Sequence, residues 1–350
     1  GGGVKGIAYG GALTKLDELG VFSNIERVAG TSAGAITATL MAIGYSAQEI
    51  SDIISKTNFQ DFADDDEGWF KDIYRLFVYF GWHKGDKLKQ WISDHLLMKF
   101  NKPDLSFQEL KSLSLRAERK NSSLRGAEGD VAIHPQIRDL YITGSNLTTH
   151  KSEVYSYETT PDMQIRDAVR ISMSIPFFFQ AVINKAGDTL VDGGVIRNYP
   201  INIFDNKKYL HSQSWQESET KASLRGAEGD VAIQTLESPL QAKITNSNYI
   251  HNPETLGFRL ADKNTVEGGT QKLKITGIKS FAMSLITFMQ AAACKTHINQ
   301  NDWQRTVAID TTGVGVTEFD LDQEKENQLI ESGELGLSSY FEWKNTTILA

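Results

Sequence analysis

The chain has 350 residues, 40% of them hydrophobic and 23% charged, which is a globular composition long enough for one large α/β domain or two ordinary ones. Its net charge of −8 argues against nucleic acid as a partner and against broad attraction to anionic lipid, so any membrane contact has to be local and apolar. The one cysteine, Cys294, excludes an intrachain disulfide and fits a reducing compartment.

The chain opens on Gly1-Gly2-Gly3-Val4-Lys5-Gly6, a run of backbone N–H groups with few side chains in the way. Such a run can gather around a phosphate or a developing oxyanion. Gly1, Gly3 and Gly6 also match a dinucleotide fingerprint, whose acidic ribose ligand would fall to Glu18 or Glu26; that reading leaves the next motif unexplained. Ile25 to Ala29 reads as a buried strand. It feeds Gly30-Thr31-Ser32-Ala33-Gly34, a G-x-S-x-G string. Alone the string is weak, and its plain alternative is a tight turn. Between a strand and a helix it has the context of a nucleophile elbow, with the positive helix end beside Ser32.

Ala33 to Ile43 reads as a helix of small residues ended by Gly44, and Ser46-Ala47-Gln48-Glu49 is a capping box opening a second helix to about Lys56. Asp64 to Glu67 is a solvated acidic loop without calcium-loop spacing. Phe70, Ile73, Phe77 and Phe80 form an apolar stripe, read either as a core-facing helix or as a lid beside lipid. A second capping box at Ser106 opens a short helix. Residues 123–133 recur unchanged as 223–233; one repetition at that distance is not a solenoid, and both copies are expected in surface loops without chemistry.

Leu140 to Thr143 and Val154 to Tyr157 read as strands and Gln164 to Ser172 as a helix. Val182-Ile183 and Thr189 to Val191 read as a hairpin. Arg305 to Asp310 reads as a late strand and Asp322 to Glu331 as a helix stopped by Gly333. Ser280 to Cys294 is apolar but too short to span a bilayer. Alternating strands and helices indicate an α/β fold.

A Ser–His–Asp triad lacks its histidine: none of His83, His95, His134, His150, His211, His251 and His297 stands in a catalytic setting. Asp192-Gly193-Gly194, after the apolar Leu190-Val191, offers a carboxylate at a strand end that can serve Ser32 directly as base. Taken alone, a D-G-G string is a turn.

In order, G-G-G-x-K-G, G-T-S-A-G and D-G-G resemble the patatin-like phospholipases. Ala168 to Phe179, Asn198 to Ile201 and Arg305 to Phe319 resemble further segments of that family, so the likeness covers most of the chain outside the duplicated inserts. The resemblance implies a single domain with a three-layer α/β/α fold and a mostly parallel central sheet. It implies a Ser–Asp dyad of Ser32 and Asp192, and an oxyanion hole from the backbone of Gly2, Gly3, Val4 and Lys5. Gly1, Gly6, Gly30, Gly34, Gly193 and Gly194 are its motif glycines. In that family a strand leads into the glycine run, whereas this sequence opens on Gly1. The dyad needs no metal or other cofactor.

The activity implied is lipid acyl hydrolysis of phospholipase A type. The alternative is a lipid-binding or interaction module with a silent or partner-gated site. The implied partner is a phospholipid or other acyl-ester lipid at a membrane surface. Some relatives are bacterial effectors switched on by a host protein, but no residue here names an activator. The implied location is cytoplasmic, or secreted into a host cell, with peripheral membrane association.

Overall fold

The computed structural model describes residues 1–62, 80–124, 136–210, 248–261, 300–315, 318 and 321–348, with 275–277, 281, 284–285, 288–289 and 292. The acidic loop, most of the aromatic stripe, Cys294, His297 and residues 125–133 and 223–233 lie outside them.

Helix α1 spans Ala8–Glu18, α2 Ala33–Ala42 and α3 Ala47–Lys56. The strands are β1 Arg27–Gly30, β2 Gly81–His83, β3 Asp139–Asn146, β4 Lys151–Tyr155, β5 Phe177–Phe179, β6 Val182–Ile183, β7 Thr189–Asp192, β8 Gly257–Ala261 and β9 Thr306–Asp310. Strands and helices alternate as the sequence predicts. The principal sheet runs β1-β3-β7-β6, with β4 also on β3. Parallel pairings join β1 to β3, β2 to β5 and β8 to β9, and antiparallel ones join β3 to β4, β3 to β7 and β6 to β7. All eight residues of β3 are buried, the pattern of a strand covered by helices on both faces.

The register of β3 positions the site. Gly30 lies opposite Ile142, and Asp192 lies opposite Gly144. β1 runs parallel to β3 and β7 antiparallel, so their carboxyl ends arrive two positions apart on one strand. Buried Arg138 ties the other end of this region together. Its guanidinium donates to the carbonyls of Ile25, Phe22 and Met41, the last at the C-terminal end of α2 where a cation is favoured. Burial lowers its pKa to about 10, which leaves it charged at neutral pH.

The capping box at Ser46 is complete: Ser46 Oγ accepts from the Glu49 amide, and the Glu49 carboxylate accepts from the Ser46 amide. The box at Ser106 is likewise closed by Glu109, but its helix is long rather than short, running Phe107–Leu124 into the first residues of the duplicated segment.

The last helix also departs from expectation. It runs Gln323–Ile348, straight through Gly333. A side chain at Gly333 would collide with the Ala8 carbonyl, and one at Gly11 with the Ile330 carbonyl. These two glycines are the bare patches on which α1 and the last helix cross, so Gly333 permits contact instead of ending the helix.

Candidate active site

Ser32 sits between β1 and α2 with φ 54° and ψ −128°, a left-handed conformation that costs a non-glycine residue on the order of 1–3 kcal/mol. The flanking residues make the sharp turn possible. A side chain at Gly30 would strike the Gly34 carbonyl, so β1 and α2 meet too closely for anything but glycine there. Thr31 Oγ1 pairs with Thr143 Oγ1 of β3 at 2.6 Å, which pins the turn to the sheet.

Ser32 Oγ donates to Asp192 Oδ2 at 2.6 Å, and the other carboxylate oxygen accepts the Gly194 amide at 2.6 Å. The Asp192 amide donates to the Ser174 carbonyl at 2.9 Å. Burial is the largest influence on Asp192 and pushes its pKa up to about 6; the hydrogen bonds from Ser32 and Gly194 pull the other way. Gly193 is pressed on β3, where an added side chain would stand 2.5 Å from Thr143 Oγ1.

The glycine run lies beside the elbow. Gly2 has φ 148° and Gly3 φ 58°, and Gly3–Ile7 forms a tight 3-10 turn that continues into α1. Gly2 at its head brings no side chain to cap the turn, so backbone amides dominate this surface. A Cβ at Gly1 would come within 3.2 Å of Ser32 Cβ, and one at Gly6 within 2.9 Å of Ala33 Cβ. Lys5 is half-buried on the same turn.

Three residues outside the motifs complete the surroundings. Ser172 Oγ accepts the Ser32 amide at 2.9 Å, and Met173 Sδ lies 3.7 Å from Ser32 Oγ. Arg170, buried, holds the segment by donating to Ser174 Oγ and to the carbonyls of Lys84 and Gln180. The sequence marks them only collectively, through the family-like segment from Ala168 to Phe179 that holds the spacing Arg170-x-Ser172-x-Ser174. Among the described histidines, His95 pairs with Tyr45 at 2.8 Å, His83 stacks on Phe178, and His251 stands 3.9 Å from Asp302. No group of acids, histidines or cysteines among the described residues is placed to hold a metal ion.

A cavity of about 420 Å³ runs from Gly1, Thr31 and Gly34 along β1 to Tyr199 and Phe258, with a mostly apolar wall. Phe178 and Phe179, which as apolar residues near the family-like segment could be expected to line an acyl channel, lie outside this cavity and are buried against His83, and Phe177 is exposed.

A serine on a sharp strand-to-helix turn, a buried carboxylate hydrogen-bonded to it and a glycine-rich strip of backbone lie together in an α/β protein. The Patatin-like phospholipase family model matches residues 1–205, and the chain belongs to that family. A Bacillus subtilis protein, YqhO, described as uncharacterized, is 33% identical over 220 residues, or 59% of this chain and 66% of that one. A probable lipid hydrolase, 463L of Invertebrate iridescent virus 6, is 25% identical over 221 residues, or 61% of this chain and 66% of that one. The chain thus spans just under two thirds of each relative. Its fold is also that of VipD from Legionella pneumophila, with TM-score 0.53 and 19% identity over 98% of this chain and 66% of that one. Among the described residues no helix is long and apolar enough to cross a membrane.

Proposed function

We propose that this protein is a lipid acyl hydrolase of phospholipase A type working through a Ser32–Asp192 dyad. The observation that carries it is the 2.6 Å hydrogen bond from Ser32 Oγ to a fully buried carboxylate, with the glycine run alongside. Asp192 Oδ2 takes the Ser32 proton as Oγ attacks the ester carbonyl. The amides of Gly2, Gly3, Val4 and Lys5 receive the tetrahedral oxyanion. The intermediate collapses to an acyl-enzyme, and the leaving alcohol takes the proton from Asp192. Water, deprotonated by Asp192, then attacks the acyl group, and the fatty acid leaves as Ser32 regains its proton. The Gly194 amide holds the carboxylate so that Oδ2 faces the serine throughout. Substrate is an acyl-ester lipid met at a membrane surface, with the protein peripheral to it.

Mass spectrometry of lipids after incubation with mixed-phospholipid vesicles tests this. Wild type releases fatty acid and lysophospholipid, and Ser32→Ala and Asp192→Asn release neither; release by either variant at the wild-type rate overturns the dyad.

One observation favours a gated form of the same site: Ser32 is 1% and Asp192 0% exposed. A fluorophosphonate serine probe distinguishes the forms. Stoichiometric labelling of Ser32 in the isolated protein marks an open site, whereas labelling only after lipid or a partner is added marks a gated one.

A further inference from the structure

Far along the chain from the dyad, the described helical positions are Phe281, Ser284, Leu285, Phe288, Met289 and Ala292. They stand three and four residues apart, the spacing of one helix face. That face is apolar and open to solvent: Phe281 is 56%, Leu285 42%, Phe288 70% and Met289 39% exposed. Two bare phenylalanine rings beside a leucine and a methionine form the kind of surface a folded protein keeps for a partner.

The charge of the sequence on either side of it selects the partner. Between Glu267 and Asp302 the sequence has Lys272, Lys274, Lys279 and Lys295 and no acidic residue, in a chain of net charge −8. The overall charge argues against broad attraction to anionic lipid, and this stretch is the local exception. Apolar rings with lysines before and after them match a layer that is apolar below and anionic at its surface. Among the described residues no helix is long and apolar enough to cross a membrane, so the contact meant here is with the interface.

We propose that the face of Phe281, Leu285, Phe288 and Met289 is the docking surface of this protein for an anionic lipid membrane. The inference rests on the hydrolase reading for what docking serves; docking itself stands on the exposed face and the charge pattern.

The test is co-sedimentation of the full chain with phosphatidylcholine vesicles, with and without phosphatidylserine. Alongside it runs hydrolysis of a water-soluble short-chain ester. Wild type pellets with the phosphatidylserine vesicles, is released by added salt, and binds pure phosphatidylcholine about tenfold or more weakly. The double variant Phe281→Ser, Phe288→Ser loses about tenfold or more of the binding and keeps its circular dichroism spectrum and its ester hydrolysis. Equal binding to both vesicle types, no binding by wild type, or undiminished binding by the double variant overturns the proposal. So does a lipid-free dimer that the double variant dissolves, because the face then covers a second copy. The salt dependence of wild type reads the proposal without any substitution. Vesicle binding with hydrolysis of neither the short-chain ester nor the vesicle lipid upholds docking and removes the hydrolase reading.

Discussion

Ser172 Oγ accepts the backbone N–H of Ser32 at 2.9 Å, a contact between residues 140 apart in the chain. The strained elbow is therefore held from outside as well as by its glycines. Ser172→Ala strands the Ser32 amide in a dry interior. An unsatisfied buried donor costs about 1–3 kcal/mol, so denaturant midpoints fall accordingly. On the dyad reading kcat drops more than KM rises, because the nucleophile and not the lipid is displaced. An unchanged kcat with lowered stability would leave Ser172 a purely structural group.

The two ends of the elbow motif make unequal demands. Gly30→Ala pushes a methyl into the Gly34 carbonyl, whereas a methyl on Gly34 meets nothing nearer than 3.9 Å. Gly34 lies in α2, where alanine is favoured over glycine by about 1 kcal/mol. Thermal unfolding should show Gly34→Ala as stable as wild type or more so, and Gly30→Ala destabilised by several degrees or unfolded.

On the dyad reading, Asp192 makes stability and activity respond to pH in opposite senses. Burial raises its folded pKa to about 6, above the roughly 3.9 of a free aspartate. The folded state therefore favours the protonated carboxyl. That contribution is full below about pH 4 and is lost as pH rises through about 6. Asp192→Asn escapes the loss. In urea titrations it should be no more stable than wild type near pH 4 and more stable near pH 8, and the reverse order would refute the assignment. The base works only when ionised, so kcat/KM of wild type should rise with pH along a limb centred near 6.

Gly333→Ala and Gly11→Ala each place a methyl on a carbonyl of the facing helix. Overpacking of this kind costs about 1–3 kcal/mol. Because α1 continues directly from the glycine run, tilting it also shifts the amides beside Ser32. A calorimetric melt should show lowered stability in both variants, and lipid hydrolysis should fall further than partial unfolding explains.

Local signals were the legible ones. The capping boxes at Ser46 and Ser106, the β6–β7 hairpin and the strand-turn-helix around Ser32 each need only neighbours in sequence, and each is present, although the helix after Ser106 is longer than expected. Asp192-Gly193-Gly194 alone reads as a turn, and only the order of the three motifs pointed to Asp192, whose bond to Ser32 spans 160 residues. Gly333 was misread because the same residue ends helices and lets them touch, and only a partner helix decides which. Ser172, Met173 and Arg170 carry no periodicity or turn chemistry that marks them; their roles exist only once β1 and β7 meet along β3.

The left-handed backbone of Ser32 has a consequence for how this chain can drift. A glycine at that position would relieve the strain and raise stability while removing the hydroxyl. Asparagine at 192 would likewise remove a buried charge. On the dyad reading, the more stable protein at both positions is the inert one. A lineage screened for folding alone would shed the pair first, so its retention in a relative reports continued use of the site, whereas an intact fold does not.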